Sequence, residues 1–186
     1  IKEGILKGIY KFRPTQKKKA KLHTHLFGSG AIMGEVLKAQ KMLEERYDIS
    51  ADVWSVTSYK QLRRDAKLID RWNMLHPDEP QRKTYLEELF ERENEGVFVA
   101  ASDYMRILPD GIARWLPGRL VALGTDGFGR SDSRASLRNF FEVDSRYVTL
   151  AALTALAREG KLDFDDVEEA MADLEIDPEK ANPITS

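Results

Sequence analysis

The sequence predicts an α/β fold of three layers, in which helices cover both faces of a mixed, mostly parallel five-stranded sheet. Strand-like apolar runs alternate with helical patterns along most of the chain, which is typical of parallel strands joined by helical crossovers. Several of these runs are apolar throughout, as strands buried on both faces are. The composition of 42% hydrophobic and 32% charged residues in a chain of 186 fits a globular domain with a proper core.

The first two strands are predicted at residues 8–12 and 20–27, where "GIYKF" and "AKLHTHLF" alternate or run apolar. The segment between them contains a proline and three consecutive lysines, which suit a solvated connection. We therefore expect these strands to form a hairpin, with the strand at 8–12 antiparallel at or near an edge of the sheet. In the alternative interpretation the lysines dock an acidic partner.

Two helices and a strand follow. A glycine turn leads into the first helix, "ADVWSVTS" at residues 51–58 is rich in β-formers, and a second helix runs from Tyr59 to near Pro77. One face of each helix carries mostly apolar residues at helical spacing. The members are Ile32, Val36, Leu43 and Tyr47 in the first helix, and Leu62, Ala66, Ile69 and Asn73 in the second.

The second half continues the alternation of helices and strands. A short helix is predicted within residues 84–93, buried strands at 96–103 and 119–124, and a helix at 110–116 between them. Helices are also predicted at 137–141 and at 147–160, and the second of these is apolar nearly all round, so it should be buried. A last amphipathic helix carries the stripe Phe164, Val167, Met171 and Leu174.

Charge and composition exclude several classes of function. The net charge of −2 leaves no basic footprint for nucleic acid, and no apolar run approaches the roughly 20 residues of a membrane helix. The absence of cysteine excludes disulfides and thiolate metal sites, and it suits a reducing compartment. The chain begins without Met or a signal-peptide pattern, so we expect one domain, residues 1–186, of a longer polypeptide, with residues 1–7 as a linker from a preceding domain.

The segment "GTDGFGRSDSR" at residues 124–134 concentrates glycines, acids, serines and arginines between a buried strand and a helix. In an open parallel sheet, ligands bind beyond the carboxyl ends of the strands, which is where this segment should lie. Its glycines allow close backbone approach, and Arg130 and Arg134 offer forked hydrogen bonds to a phosphate or carboxylate. A ligand-binding loop is one interpretation of this composition.

A structural role is the other interpretation of the same segment. Asp126 would turn the loop, and Asp132 or Ser133 would cap the following helix. Two arginines near the positive end of a helix repel each other unless anions lie nearby. We therefore expect Arg130 or Arg134 to form a salt bridge with Asp126, Asp132 or another acid of the domain.

The glycine turn "GSGAIM" at residues 28–33 resembles a dinucleotide-binding turn only in part. Met33 stands where the third glycine of G-x-G-x-x-G belongs, and Asp52 stands at the start of the next predicted strand rather than at its end. The sequence favours an ordinary tight turn.

The three histidines give no catalytic set. His23 and His25 are two apart on a strand and face the same side, so they suit either a metal pair or an edge-strand surface, but spacing places no third ligand. His76 follows a helix and precedes Pro77, as an active-site residue or a helix-end histidine bonded to a carbonyl would. No nucleophile elbow, P-loop or H-E-x-x-H occurs. The residues by themselves therefore predict a domain, and not an enzyme.

Seven blocks of the sequence carry a resemblance to a known family. The chain resembles the C-terminal domain of the homodimeric, thiamine-diphosphate-dependent pyruvate dehydrogenase subunit, from about Gly4 to Ala181. The blocks are "GIYKF", "GSGAI", "DVWSVTS", "DRWNMLHP", "ASDYM", "GTDGFGRSDSR" and "FFEVDSRYV", in that order along the chain.

The resemblance implies the transketolase C-terminal domain fold and a part in the decarboxylating subunit of the pyruvate dehydrogenase complex. The full subunit would be a cytoplasmic oxidoreductase that decarboxylates pyruvate, downstream of glycolysis, and passes the acetyl unit to a lipoyl group. Thiamine diphosphate and Mg²⁺ would be held by its N-terminal and middle domains, so no catalytic, cofactor-binding or metal residue is expected here. The partners would be those domains, a second subunit and the lipoyl acyltransferase, and not nucleic acid or a membrane.

The resemblance leaves the candidate site residues at most at the active-site rim or at an interdomain contact. These residues are His76, Asp126, Arg130, Asp132, Ser133 and Arg134. The alternative function is a free-standing α/β module that binds an anion or another ligand without catalysis.

Overall fold

A computed structural model describes residues 1–93 and 95–186 of the chain. The strands are β1 (Ile9–Arg13), β2 (Leu22–Gly28), β3 (Ile49–Val56), β4 (Val97–Ala101) and β5 (Leu120–Leu123). They form a five-stranded sheet in the order β1-β3-β2-β4-β5. Strands β2 to β5 are parallel, and β1 runs antiparallel to β3 at the edge. The predicted mixed sheet with one antiparallel strand at an edge is confirmed.

The hairpin predicted for β1 and β2 is wrong. Ile9 of β1 lies opposite Val56 of β3, whereas β2 is an interior strand between β3 and β4. The last five residues of β2 are buried, so this strand needs a neighbour at each edge, while β1 is half-exposed and suits the edge. The polar connection is long enough to pass β3, and Thr15 fixes it through hydrogen bonds with Asp52 and Glu44.

Helices cover both faces of the sheet, as predicted. Their bounds are α1 (Lys2–Lys7), α2 (Met33–Arg46), α3 (Tyr59–Leu75), α4 (Tyr85–Phe90), α5 (Ile107–Asp110), α6 (Arg134–Phe140), α7 (Ser145–Arg158) and α8 (Phe164–Asp173). One hydrophobic core joins the sheet to α2, α7 and α8, and a second joins its other face to α3 and α4. Helix α7 is largely buried, as its composition predicted. In the described part of the chain no helix is long and apolar enough to cross a membrane.

Three helical segments differ from the prediction. Residues 1–7, expected as a linker, contain α1, which ends at Gly8 with a φ of 113°. The helix predicted at residues 110–116 is replaced by α5 and a 3-10 turn at Ala113–Trp115, because the chain must turn there into β5. Phe164 is exposed at the start of α8 instead of joining the apolar stripe. A link to a preceding domain stays a prediction.

The order in which successive strands are added to the sheet reverses at β2, since β3 and β4 lie on opposite sides of it. From β2 it passes through α2 to β3, and it returns from β3 through α3 to β4 on the other side of β2. The helix after β2, α2, packs on one face of the sheet, whereas Ile112 and Trp115 from the segment after β4 pack on the other, so the loops after these adjacent strands diverge at the carboxyl edge and open a crevice. The loop after β5 lies at this same edge, and ligands bind at such edges in open α/β sheets.

Candidate functional site

The segment at residues 124–134, here called the glycine loop, begins at the carboxyl end of β5 and is joined to the loop that follows β4. The Thr125 amide donates to the Tyr104 carbonyl over 3.0 Å. Asp126 Oδ1 accepts a 3.2 Å hydrogen bond from the Arg106 amide, and Asp126 Oδ2 lies 3.3 Å from Arg106 Nε. Asp126 therefore has a structural role, but it joins two loops through Arg106 and is not the loop-turning residue or the partner of Arg130 or Arg134 that the sequence predicted.

Two of the three glycines in the glycine loop permit close backbone packing. A Cβ atom on Gly124 would lie 2.8 Å from the Arg106 amide nitrogen, which is closer than real Cβ contacts. Gly127 has a φ of 98°, and a Cβ there would collide with the carbonyl oxygen of Pro183. Gly129 has open space around it. Much of the unusual composition of the loop is therefore explained by backbone geometry.

Ser133 caps the helix that follows the glycine loop, as predicted. Its Oγ atom accepts a 3.2 Å hydrogen bond from the Ser136 amide. Because of this cap, α6 begins at Arg134, three residues before the predicted start. Asp132 lies one residue earlier, and its carboxylate accepts from the Ser133 amide.

The predicted salt bridge of the two arginines is wrong. Neither Arg130 nor Arg134 pairs with an acid within residues 1–93 and 95–186. Asp126 is engaged by Arg106, and Asp132 by the neighbouring amide. The guanidinium of Arg130 instead lies 4.1 Å above the centre of the Phe140 ring, whose electron-rich face attracts a cation without a carboxylate.

Large apolar side chains are exposed at the carboxyl edge, in the segments that follow β4 and β5, and the sequence patterns did not predict them. The exposed fractions are 64% for Tyr104, 58% for Met105, 66% for Ile107 and 81% for Phe128. The first three follow β4, Phe128 lies in the glycine loop, and hydrogen bonds join these two loops. Exposed apolar residues that are grouped in this way mark interaction surfaces. We call these four residues the carboxyl-edge patch; the sequence signal was apolar residues among turn-forming ones.

The edge-strand surface expected for His23 and His25 is wrong, because β2 is an interior strand. Asp52 of β3, which the spacing did not place near them, completes a group whose ligand atoms lie within 4.8 Å of one another. His23 Nε2 is 3.6 Å from Asp52 Oδ2. Two histidines and a carboxylate are a common ligand set for transition metals, so this group needs a closer test.

The hydrogen bonds of His25 leave it no free ligand atom. Trp54 Nε1 donates to His25 Nδ1 over 3.2 Å, and His25 Nε2 lies 3.1 Å from the carbonyl oxygen of Glu95. Because that carbonyl can only accept, the ring proton is on Nε2. Burial is the main cause that lowers the pKa of His25 to about 3, so the ring is neutral at physiological pH. Both nitrogens are committed, and His25 is no metal ligand here.

Lys11 already supplies the cation of this cluster. Its Nζ atom is 2.8 Å from Asp52 Oδ2, pairs with Glu93, and lies 4.9 Å from the centre of the Trp54 ring. Burial by itself would raise the pKa of Asp52, but hydrogen bonds from Lys11 and the Thr15 amide outweigh it and lower the pKa. The cluster is an ion-pair network whose positive charge belongs to the chain.

His76 lies at the amino end of the parallel strands, away from the glycine loop. Helix α3 begins at the carboxyl edge and runs back along the sheet, and His76 follows its last residue. Its Nδ1 atom is 2.8 Å from the carbonyl oxygen of Trp72, and its ring stacks on the Trp72 ring at 4.3 Å. The predicted helix-end histidine bonded to a carbonyl is confirmed. His76 is thus not brought together with the residues of the glycine loop.

Comparison with known proteins identifies the family. The model described as "Transketolase-like TK C-terminal domain" matches residues 8–144, which is most of the chain. The chain belongs to this family. The transketolase-like domain is also 49% identical over 183 residues to the pyruvate dehydrogenase E1 component of Pseudomonas aeruginosa. It is 44% identical over 182 residues to the E1 component of Escherichia coli strain K12, and 40% over 185 residues to that of Cupriavidus necator.

These matches include almost all of the transketolase-like domain but little of each relative. They cover 98%, 97% and 100% of the chain, but only 20%, 20% and 21% of the relatives. The chain therefore spans about a fifth of the length of the relatives that it matches. The matches extend past residue 144, so α7 and α8 belong to the region shared with the E1 components.

Two solved transketolase structures share the fold. "Split gene transketolase, inactive beta4 tetramer" superposes with a TM-score of 0.54 at 19% identity and covers 80% of this chain and 42% of its own. Transketolase from Leishmania mexicana gives a TM-score of 0.53 at 16% identity and covers 84% of this chain and 19% of its own. At these identities the likeness shows the fold alone.

Proposed function

We propose that this chain is the C-terminal domain of the decarboxylating subunit of a pyruvate dehydrogenase complex, in which pyruvate is converted to an acetyl group on a lipoyl carrier. The observation that carries the proposal is the identity of 40% to 49% with pyruvate dehydrogenase E1 components over nearly the whole chain. Because those relatives are about five times longer, this identity favours a domain of a large enzyme over a free-standing binding module.

The group formed by His23, His25 and Asp52 does not fit the Mg²⁺ that such an enzyme uses with its cofactor, thiamine diphosphate. Mg²⁺ prefers an octahedron of oxygen ligands. In the described ranges, the group with metal-ligand spacing contains His25, whose nitrogens are both hydrogen-bonded, and Asp52, which Lys11 neutralises. We infer that the cofactor and its metal are held by other domains of the subunit, and that no step of the reaction uses this chain as a cofactor site.

The carboxyl edge is the part of the domain that we assign to the rest of the enzyme. The carboxyl-edge patch offers apolar area for an interdomain contact, and its neighbours Arg130 and Arg134 carry charges that no described acid neutralises. Asp126, Asp132 and Ser133 give the loop its shape. We therefore assign the glycine loop to the active-site rim or to the contact with the middle domain or the second subunit.

Other parts of the proposal rest on the resemblance. They are a homodimer, an acyltransferase with a lipoyl group as the acceptor of the acetyl unit, and a cytoplasmic location. His76 would belong to a separate contact, since it lies at the other edge of the sheet.

A chimera tests the proposal. The fifth of the Escherichia coli E1 component that aligns with this chain is replaced by the chain, and the product is compared with the same subunit lacking that fifth. We expect the chimera, but not the truncated subunit, to release CO₂ from pyruvate with ferricyanide as the electron acceptor and to acetylate a lipoyl domain. A chimera that is folded and dimeric by light scattering, yet no faster than the truncated subunit, would contradict the proposal.

A surface variant separates docking from folding in the same experiment. Met105→Ser together with Phe128→Ser removes apolar area from the carboxyl-edge patch, while both side chains are exposed in the isolated chain. We expect this double variant to leave the melting temperature of the isolated chain unchanged and to lower the activity of the chimera. Activity equal to that of the unmodified chimera would show that the patch is not the interdomain contact.

A further inference from the structure

A cavity opens at the carboxyl edge beside the crevice where the loops after β2 and β4 diverge. Its volume is about 270 Å³. Its lining includes Ile32 from the segment after β2, Asp103 from the loop after β4, Thr125 from the loop after β5, and Arg134, Leu137 and Phe141 from α6 and its end. Such a reversal point is where open α/β sheets bind ligands, because loops from different strands converge on one space.

The floor of this cavity is apolar. Ile32, Phe141 and Val143 are buried residues of the main hydrophobic core, and Leu137 packs against that core. A hydrocarbon group placed on this floor would leave water and gain roughly 25 cal/mol for each Å² of apolar surface that it buries. The floor therefore selects for a ligand with an apolar part.

The rim carries two opposite charges that do not pair with each other. The carboxylate of Asp103 and the guanidinium of Arg134 both line the cavity, and neither has a hydrogen bond or a salt bridge with any described residue. Arg138 lines the same cavity, but its charge is paired with Glu35 and it also donates to the Ala31 carbonyl. Gly30, with a φ of 54°, lies beside Asp103, and a Cβ there would be 3.1 Å from its Oδ1 atom. A glycine at this position leaves that carboxylate clear of any side chain.

We propose that this cavity binds a small zwitterion, of the class of free α-amino acids with an apolar side chain. The ligand's ammonium pairs with Asp103, its carboxylate accepts a forked hydrogen bond from Arg134, and its hydrocarbon lies on Leu137 and Phe141. A volume of about 270 Å³ corresponds to roughly nine water molecules at about 30 Å³ each, which leaves room for a ligand of this small size.

Calorimetric titration of the chain with three probes tests this proposal, which does not depend on the proposed function. L-leucine carries both charges, 4-methylpentanoate lacks the ammonium, and 3-methylbutylamine lacks the carboxylate. We expect one-to-one binding of L-leucine and at least roughly tenfold weaker binding of each singly charged analogue. The proposal is overturned if L-leucine does not bind at about 10 mM, or if either analogue binds as tightly as L-leucine.

Variants assign the binding to the named residues. Asp103→Asn and Arg134→Gln each remove one charge from an exposed position, so both proteins should fold, and circular dichroism checks this. We expect each change to weaken L-leucine binding by about tenfold or more. Arg130→Gln is the matched control, because it removes the same charge from the glycine loop without touching the cavity. L-leucine affinity that is unchanged in Asp103→Asn and Arg134→Gln would overturn the assignment.

Discussion

Gly127 lies against the carbonyl oxygen of Pro183, so the glycine loop packs directly on the C-terminal tail of the chain. A residue with a Cβ atom at this position would face two penalties. The φ of 98° lies in a region that side chains rarely allow, and the Cβ would collide with the Pro183 backbone. Gly129, two residues later, has open space around it, so it is a matched control for a substitution at Gly127 in the same loop.

Replacing Gly127 should therefore destabilise the domain. We expect Gly127→Ala to lower the free energy of unfolding by about 1–3 kcal/mol, because the backbone must adopt a strained angle or release the tail. Gly129→Ala should change it by less than about 0.5 kcal/mol. Urea denaturation followed by circular dichroism measures both. Equal midpoints for the two variants would show that the tail does not restrain the loop.

The two arginines of the glycine loop should separate into different roles. Arg130→Ala removes the contact with the Phe140 ring and should lower the free energy of unfolding by about 0.5–1 kcal/mol. Arg134→Ala removes an exposed side chain with no described acidic partner, so stability should stay within about 0.5 kcal/mol. If the rim assignment holds, Arg134→Ala in the full-length subunit lowers turnover at this unchanged stability. Wild-type turnover and wild-type melting in both variants would leave the loop without either role.

The patterns along the chain predicted the layers but not every pairing of strands. Buried strands such as β4 and buried helices such as α7 are defined by local composition, so their existence followed from periodicity. The neighbours of β2 could not be predicted from periodicity, because a hairpin and a crossover connection begin with the same local sequence signals. Only the tertiary fold places Asp52 beside His23, since they lie 29 residues apart in the sequence, on strands that pair in parallel.

The candidate site was predictable in its location and in one cap. The position of the glycine loop after a buried strand, and Ser133 as the N-cap, followed from local chemistry. The partners of Arg130 and Asp126 could not be predicted in this way. Phe140 packs under Arg130, and Arg106 pairs with Asp126, and the fold brings both from other parts of the chain. A charge pattern indicates that a charged side chain needs a partner, but it does not identify which residue the fold places beside it.

The neutral state of His25 should make stability depend on pH. Its pKa in the folded chain is about 3, far below the ordinary value of 6.5, chiefly because of burial. Between these two values the unfolded chain binds a proton that the folded chain does not. The contribution of His25 to the free energy of unfolding is therefore fully present above about pH 6.5 and is lost as the pH drops toward 3. His23, whose pKa burial also lowers, acts in the same direction, while Lys11, Asp52 and the Glu95 carbonyl face these rings.

Urea titrations at several pH values measure this dependence. Each proton contributes a slope of at most about 1.4 kcal/mol per pH unit. His25→Gln cannot take up a proton, while its amide can still donate and accept, so we expect a slope that is smaller by up to one proton between pH 6 and pH 4. His76→Gln is the control, because that side chain is exposed. An unchanged slope in His25→Gln would show that this ring does not carry the effect.

Removing the ammonium of Lys11 should convert its ion-pair network into a metal site. The Ser50 hydroxyl donates to the Leu22 carbonyl, so the 2.7 Å bond between His23 Nδ1 and Ser50 must be donated by His23, which leaves a lone pair on His23 Nε2. In Lys11→Met, no ammonium neutralises the Asp52 carboxylate, which lies 3.6 Å from this nitrogen. An imidazole nitrogen and a carboxylate are both ligands that Zn²⁺ prefers. We expect calorimetry at pH 8 to show Zn²⁺ binding at least roughly tenfold tighter for Lys11→Met than for the unmodified chain. Adding His23→Asn should abolish this gain, and circular dichroism must show that both variants fold. Equal Zn²⁺ affinity with and without Lys11 would mean that its ammonium does not hold the cation position.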